Sequence, residues 1–527
     1  MALYLGFDSS TQSLTATVIE IEGARRTIVF EHVLVFDEAS PNFGTTHGVV
    51  RSADGATVTA PPAMWAAALD RMMAILQSHV DVAAIRAISG SAQQHGTVYL
   101  KLGAGTTLGA FEPGEPLDTQ VAPLLSRSQS PVWLDSSTTA ECTHMTAAVG
   151  GAEEMARLTG SRAYERFSGA QIRKFAKHEP AAYAHTERIH LVSSFMASLL
   201  AGRHAPLDPG DASGMNLMDI TTKTWAPQAM DATAPGLEPK LPPVRGPWTV
   251  VGELASYWRQ KYGFGPARVI TWSGDNPSSL VGLGLVEPGD LAISLGTSDT
   301  VFGPMTHPAH DPAHAGHVFG SPAGGYMALT CFANGSLARE RVRDEYGLDW
   351  NGFSARLRAT EPGNGGGMLL PWFVAEITPP VFQPGVRRRR LDPADAPRNV
   401  RAIVEAQAMA MRLHSRWFAP DVKTLRATGG AAANADILQI FANVFGADVV
   451  RITPRNSASL GAAIRAYHAD RMASHEPVTW EDAVAGFTDP DAGSRIQPDR
   501  TSVAVYAALL PEYEAFESAA RHEQVSG

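Results

Sequence analysis

Leu3-Tyr4-Leu5-Gly6-Phe7-Asp8-Ser9-Ser10-Thr11-Gln12-Ser13 and Leu291-Ala292-Ile293-Ser294-Leu295-Gly296-Thr297-Ser298-Asp299-Thr300 read as two copies of one device. Each runs from apolar residues, through a glycine, into a cluster of hydroxyls. The apolar residues suit a buried strand, and the turn after it offers backbone N–H groups and Ser/Thr hydroxyls to phosphate oxygens. One such turn in each half predicts two related domains that clamp a nucleotide. The same residues also suit a pair of ordinary hairpins rich in turn formers.

Around the first copy, residues 15–21 and 27–36 alternate as strands do, residues 37–62 form a polar loop, 64–79 carry apolar residues at helical spacing, and 85–88 read as a strand. A meander followed by a helix and a strand is a βα plan. Further helices are predicted over 153–158, 189–200, 254–262 and 276–284, with a strand at 269–272. Pro288-Gly289-Asp290 is a turn just before the second copy, which places the domain boundary near residue 286 and the two domains at 1–285 and 286–527. Beyond it, a helix at 400–418, a strand at 424–428 and a helix at 435–445 repeat the plan. A chain of 527 residues and 56.1 kDa exceeds one comfortable core, which agrees with two domains.

The bulk chemistry excludes several classes. With 43 Lys and Arg against 53 Asp and Glu, the net charge of −10 gives no global field for nucleic acid or acidic lipid, so a small-molecule substrate is expected. No basic stretch precedes an apolar one at the N-terminus, and the apolar run at 191–200 is broken by Ser193, Ser194 and Ser198, so neither secretion nor a bilayer span is expected. Only Cys142 and Cys331 occur, which fits reduced thiols in a cytoplasmic protein.

The phosphate chemistry begins from an absence. No Gly-Lys pair occurs, so a Walker-type loop cannot be built, and Gly282-Leu283-Gly284 follows a helical pattern rather than a strand, so it is no dinucleotide fingerprint. Thr428-Gly429-Gly430-Ala431-Ala432-Ala433-Asn434 lies between a strand and a helix, where paired glycines let backbone approach a ligand or simply make a tight connection. The two hydroxyl turns and this Gly-Gly turn together resemble the phosphate-1, phosphate-2 and adenosine elements of the superfamily that holds sugar kinases, actin and the Hsp70 ATPase.

Gly90-Ser91-Ala92-Gln93-Gln94-His95-Gly96, Trp133-Leu134-Asp135-Ser136-Ser137-Thr138-Thr139, Gly160-Ser161-Arg162-Ala163-Tyr164-Glu165-Arg166-Phe167, Asp211-Ala212-Ser213-Gly214-Met215-Asn216 and Gly274-Asp275-Asn276 carry the resemblance further. In this order they are similar to the FGGY carbohydrate kinase family, in its animal-type xylulose-phosphorylating branch, from about residue 3 to about 515. The resemblance implies an α/β fold of two RNase-H-like domains flanking a catalytic cleft. It implies magnesium-assisted transfer of phosphoryl from ATP to the terminal primary hydroxyl of D-xylulose, giving D-xylulose 5-phosphate. A monomer or homodimer fits such an enzyme.

By resemblance, Asp275 is the carboxylate that orients the sugar hydroxyl and takes its proton, although Gly274-Asp275-Asn276-Pro277 also reads as a turn capping the next helix. His95, Arg166, Asp275 and Asn276 match positions that hydrogen-bond the sugar. Asp8 matches the carboxylate that handles Mg²⁺ directly or through water, and also reads as a turn cap. Thr11 and Gln12 complete its turn, Thr297 and Ser298 face the phosphates, and Gly429, Gly430 and Asn434 cradle adenosine with Trp350 beside it. The sequence departs from the common pattern ahead of His178-Glu179-Pro180, where Gln171 and Lys174 stand in place of a Lys and a Trp. That weakens any transfer of substrate from other branches and leaves Asp275 untouched.

His307, His310, His314 and His317 lie among Pro308, Pro312 and Gly316 and read as a solvated loop rather than a metal site; Arg387 to Arg390 reads as a solvated or salt-bridged loop. Two rivals stay open: a kinase for another ketopentose or polyol such as ribulose, and a non-catalytic ATP switch of the actin or chaperone kind.

Overall fold

A computed structural model describes residues 2–453 and 456–526. The chain forms two compact units, Met1–Val286 with Val318–Tyr326 and Arg455–Thr488, and Glu287–His317 with Met327–Pro454 and Asp489–Gly527.

In the first unit, strand Ala2–Ser9 runs antiparallel to Ser13–Glu22, which runs antiparallel to Arg25–Val35. Helix Pro62–His79 then carries the chain over to Ile85–Ala92, which lies parallel to Ala2–Ser9 on its other side. Arg268–Ile270 and Ser273–Gly274 add parallel to Ile85–Ala92, and Val250–Glu253 closes the seven-stranded sheet. Side chains alternate along Ala2–Ser9 as strand geometry requires. Leu3, Leu5 and Phe7 pack in one cluster with Met64, Trp65, Leu69 and Met72 of the helix. Tyr4 points the other way, into a cluster with Leu460, Ala463, Ile464 and Tyr467 of helix Ser457–Ala473. Each large apolar side chain so buried contributes about 1.5–3 kcal/mol.

Gly6 shares that second face, and its role is steric. A Cβ there would sit 2.1 Å from the Ser459 carbonyl and 2.2 Å from the Ala463 nitrogen. Only a glycine lets the helix lie directly on the strand. Gly461, whose Cβ would sit 2.0 Å from the Ser278 carbonyl, does the same where this helix crosses Asp275–Gly282.

The second unit repeats the plan. Asp290–Leu295 pairs antiparallel with Asp299–Met305 and parallel with Thr424–Thr428, which pairs parallel with Asp448–Arg451. Tyr326–Phe332 extends the sheet beside Asp299–Met305. Helices Ala396–Ser415 and Ala435–Phe445 join the parallel strands. Each half therefore has the expected α/β order of antiparallel strands followed by a helical crossover to a parallel one.

Three local expectations need correction. Residues 189–191 belong to strand Thr186–Leu191, paired with Thr97–Lys101, and the helix is Val192–Ala201. An unbroken buried run has no periodicity with which to tell a strand from a helix. Arg387–Arg389 is a strand paired with Met368–Leu370, not a loop, and Arg388 and Arg389 lie 3.7 and 3.4 Å from the carboxylates of Glu345 and Glu512. His317 is buried at the start of His317–Gly320 rather than solvated, and Asp311 accepts backbone N–H groups from Ala313, Ala315 and Gly316. Among the described residues no helix is long and apolar enough to cross a membrane.

Candidate active site

The parallel register of the first sheet gathers its chemistry at one edge. Asp8 stands opposite Ser91, and Ser91 opposite Ser273, so Asp8 and Asp275 emerge at the carboxyl ends of strands on either side of Ile85–Ala92. Open α/β sheets bind their ligands at that edge. Ser91 donates its hydroxyl to Asp8 at 2.7 Å. The Asp275 carboxylate accepts the backbone N–H of Asn276 at 2.8 Å and its Nδ2 at 3.2 Å, and that same Nδ2 donates to Gln94 Oε1 at 3.0 Å. Gly274 makes this contact possible, since a Cβ there would lie 2.5 Å from Gln94.

Burial raises the proton affinity of both carboxylates, as it does for the neighbouring buried Asp208 and Asp211. Burial pushes Asp275 up to about 6, with the Asn276 N–H opposing. Burial pushes Asp8 up to about 7, the negative charge of Asp275 adds to it, and the Ser91 hydroxyl opposes. Both titrate near neutrality, where a general base works best.

His95 has a positive φ of 73° and is buried, its ring stacked on Phe167 with centroids 4.2 Å apart. Its Nδ1 lies 2.7 Å from the Gly214 carbonyl. Burial drives its pKa down to about 3, helped by the Arg166 cation and opposed by that carbonyl. The imidazole is therefore neutral. A carbonyl only accepts, so Nδ1 carries the proton and Nε2 keeps its lone pair. The Arg166 guanidinium lies 4.9 Å from the Tyr164 ring centroid and 5.8 Å from that of Phe167. An acceptor, a cationic donor and the Asn276 amide thus accompany Asp275 in the first unit. Thr11 accepts the Trp133 indole N–H at 2.8 Å, and Gln12 is exposed beside it.

In the second unit a cavity of about 640 Å³ is lined by Trp350, Ser354, Gly430, Asn434, Ser336 and Arg339 among others, a size suited to a small-molecule ligand. Gly429 holds φ at +88°, and a Cβ there would lie 2.6 Å from the Leu295 carbonyl, so this position requires glycine. Asn434 caps helix Ala435–Phe445 by accepting from the N–H groups of Asp436 and Ile437, and its Nδ2 donates to Ser354 at 2.7 Å. Trp350 opens helix Trp350–Arg358 under the Arg343 guanidinium, 4.7 Å from its ring centroid. Thr297 and Ser298 are exposed in the turn between Asp290–Leu295 and Asp299–Met305.

Comparison with known proteins decides the family. The N-terminal-domain model of the FGGY family of carbohydrate kinases matches residues 114–282, and the C-terminal-domain model matches 291–469. The chain belongs to this family. Xylulose kinase of Mus musculus is 44% identical to this FGGY kinase over 97% of the chain and 93% of its own length. Xylulose kinase 2 of Arabidopsis thaliana is 42% identical over 89% and 87%. Xylulose kinase of Rhodospirillum rubrum superposes with a TM-score of 0.79 at 18% identity, covering 99% of each chain. Gluconate kinase of Lactobacillus acidophilus also reaches 0.79, at 17% identity over 98% of each chain, so this likeness establishes the actin/hexokinase-like fold and not the substrate.

The kinase's first unit brings together Asp8, Asp275, Asn276, His95 and Arg166 of the sequence-derived set. The second gathers Trp350, Gly430 and Asn434 on one cavity, with Gly429 shaping its backbone and Thr297 and Ser298 on a separate turn. Sequence reasoning missed Ser91 as the partner of Asp8, Phe167 as the platform of His95, and Ser354 as the partner of Asn434. Ser91 and Phe167 lie inside quoted motifs, but which strand faces which is a matter of register that no single motif carries.

Proposed function

We propose that this enzyme transfers the terminal phosphoryl group of ATP to the primary hydroxyl at the end of D-xylulose, giving D-xylulose 5-phosphate and ADP. The observation that carries the reading is Asp275, a carboxylate raised to about 6 at the carboxyl edge of the first sheet and bonded to Asn276. The near-full-length identity to xylulose kinases supports the choice of sugar.

Asp275 accepts the proton of the sugar hydroxyl as the new O–P bond forms and the bond between the terminal phosphorus and the ADP oxygen breaks. His95 Nε2 accepts from a sugar hydroxyl, and Arg166 and Asn276 donate. This mixture suits a polyol, because an epimer leaves a buried partner unpaired. The second unit serves the nucleotide: Thr297 and Ser298 meet the phosphates, and Gly429, Gly430, Asn434 and Trp350 hold adenosine. In this reading the first unit serves the sugar and the second the ATP; the expected division into 1–285 and 286–527 holds for most of the chain, but residues 318–326 and 455–488 return to the first unit.

The residues suit a magnesium ion at Asp8. The negative charge of Asp275 adds to burial in raising the proton affinity of Asp8, and a divalent cation relieves that repulsion. Magnesium binds through one or two carboxylates with water and substrate phosphate completing its shell, and Asp8, Thr11 and Gln12 offer such oxygens. When bound, the ion offsets phosphate charge during transfer. A cytoplasmic site of action follows from reading Cys142 and Cys331 as reduced thiols.

ADP release in a coupled assay, with ATP, magnesium and each of D-xylulose, D-ribulose, L-ribulose and no sugar, tests the proposal. D-xylulose is expected to give the highest kcat/KM, with little release in its absence. A preference for ribulose, or release independent of sugar, would contradict it.

A further inference from the structure

The second hydroxyl turn is braced from beneath by charged side chains that are completely buried. Asp299 pairs with Leu295 in the hairpin and so closes the 296–298 turn. Its carboxylate receives a two-pronged contact from Arg339, Nη1 to Oδ2 at 2.7 Å and Nη2 to Oδ1 at 3.0 Å, with the side chains 1% and 0% exposed. Arg339 Nη1 also donates to Gln407 Oε1 at 2.7 Å and Nη2 to Ser336 Oγ at 3.3 Å. Gln407 in turn donates to the carbonyls of Asn334 and Gly335 at 2.8 and 3.0 Å. Ser336 ties the brace to the turn, donating its N–H and its hydroxyl to the Gly296 carbonyl at 2.8 and 2.6 Å.

Gly335 seats the two segments against each other, since a Cβ there would lie 2.7 Å from the Thr297 carbonyl. Ser336 and Arg339 also line the 640 Å³ cavity, so one network touches both the turn and the cavity. A buried ion pair is weak evidence of stabilisation, because apolar residues of similar volume often serve stability as well or better. What the pair adds over apolar packing is direction, a forked contact whose donors and acceptors fix the carboxylate that closes the turn.

We propose that the Arg339–Asp299 pair, with Gln407 and Ser336, is a positioning device that presets the Gly296–Ser298 turn for the nucleotide's phosphates. This rests on the reading of Thr297 and Ser298 as phosphate contacts. Arg339 stands behind the turn and works through Asp299 and Ser336, holding donor groups in place before ATP arrives.

The test uses three variants of the full-length enzyme, with thermal melting and separate KM values for ATP and D-xylulose. Arg339→Met leaves Asp299 buried and unpaired, so its melting temperature falls. The double change Asp299→Leu with Arg339→Met removes both charges and is expected to regain melting temperature, yet to keep a KM for ATP raised about tenfold, the D-xylulose KM staying within about twofold. Arg339→Lys keeps the charge without the fork and should fall between. KM does not depend on how much of the enzyme is folded, so poor folding does not mask the result. A wild-type KM for ATP in the double variant, or equal rises in both KM values, would overturn the proposal. If the wild type itself released no ADP with any sugar, the functional reading would fail instead, and separately.

Discussion

Asp275→Asn is expected to fold, to bind ATP as the wild type does, and to turn over about 10²- to 10⁴-fold more slowly. The amide oxygen of an asparagine still accepts from the Asn276 N–H and Nδ2, which the carboxylate now receives at 2.8 and 3.2 Å, so the loop keeps its shape. What is lost is the ability to take a proton. The pH dependence supplies an independent sign. A carboxylate held at about 6 is charged above that pH and protonated below it, and only the charged form is a base. In the wild type kcat/KM should therefore fall as pH drops through about 6, by about tenfold per unit once well below it. The limb belongs to Asp8 and Asp275 as an interacting pair, so its midpoint reports both carboxyls. In the variant the Asp275 contribution disappears. Near-normal turnover, or an acid limb unchanged in the variant, would remove Asp275 from the role of base.

Arg166→Ala is expected to raise the KM for D-xylulose about 10- to 100-fold and to leave the KM for ATP nearly unchanged. A hydrogen bond from a charged donor contributes about 1.5–3 kcal/mol, and about 1.4 kcal/mol is a factor of ten. His95 should remain neutral in the variant, because burial depresses its pKa more than the Arg166 cation does. The guanidinium also packs over Tyr164 and Phe167, so a loss of stability is expected as well. Steady-state kinetics at saturating ATP, with melting curves alongside, separates the two. A variant that melts earlier but keeps its sugar KM would make Arg166 a packing residue only.

Much of this arrangement is legible in the residues. Alternation marks Leu3, Leu5 and Phe7 as one face of a strand, and the hydroxyls after Phe7 announce its end. The quoted motifs around His95, Arg166 and Asp275 contain the residues that the first unit brings together. What cannot be read is contact between distant segments of ordinary composition. Gly6 reads as part of a strand-turn motif, yet its glycine answers to Ser459 and Ala463, more than 450 residues away. Helix Ser457–Ala473 packs Leu460, Ile464 and Tyr467 into the cluster with Tyr4, and such a stripe marks a buried helix without saying which sheet it covers; that is set by the close approach of Gly6 and Gly461. Arg339 stands in Ala338-Arg339-Glu340-Arg341, which reads as a solvated helix face until Asp299 is found against it.

Product identity tests the central claim most directly. Purified enzyme is incubated with ATP, magnesium and D-xylulose labelled with ¹³C, and the product is examined by ¹³C and ³¹P NMR. The account predicts a single sugar phosphate whose phosphorus couples to C5, formed in step with ADP. Phosphate on any other carbon, or ADP appearing with no sugar phosphate, would contradict it.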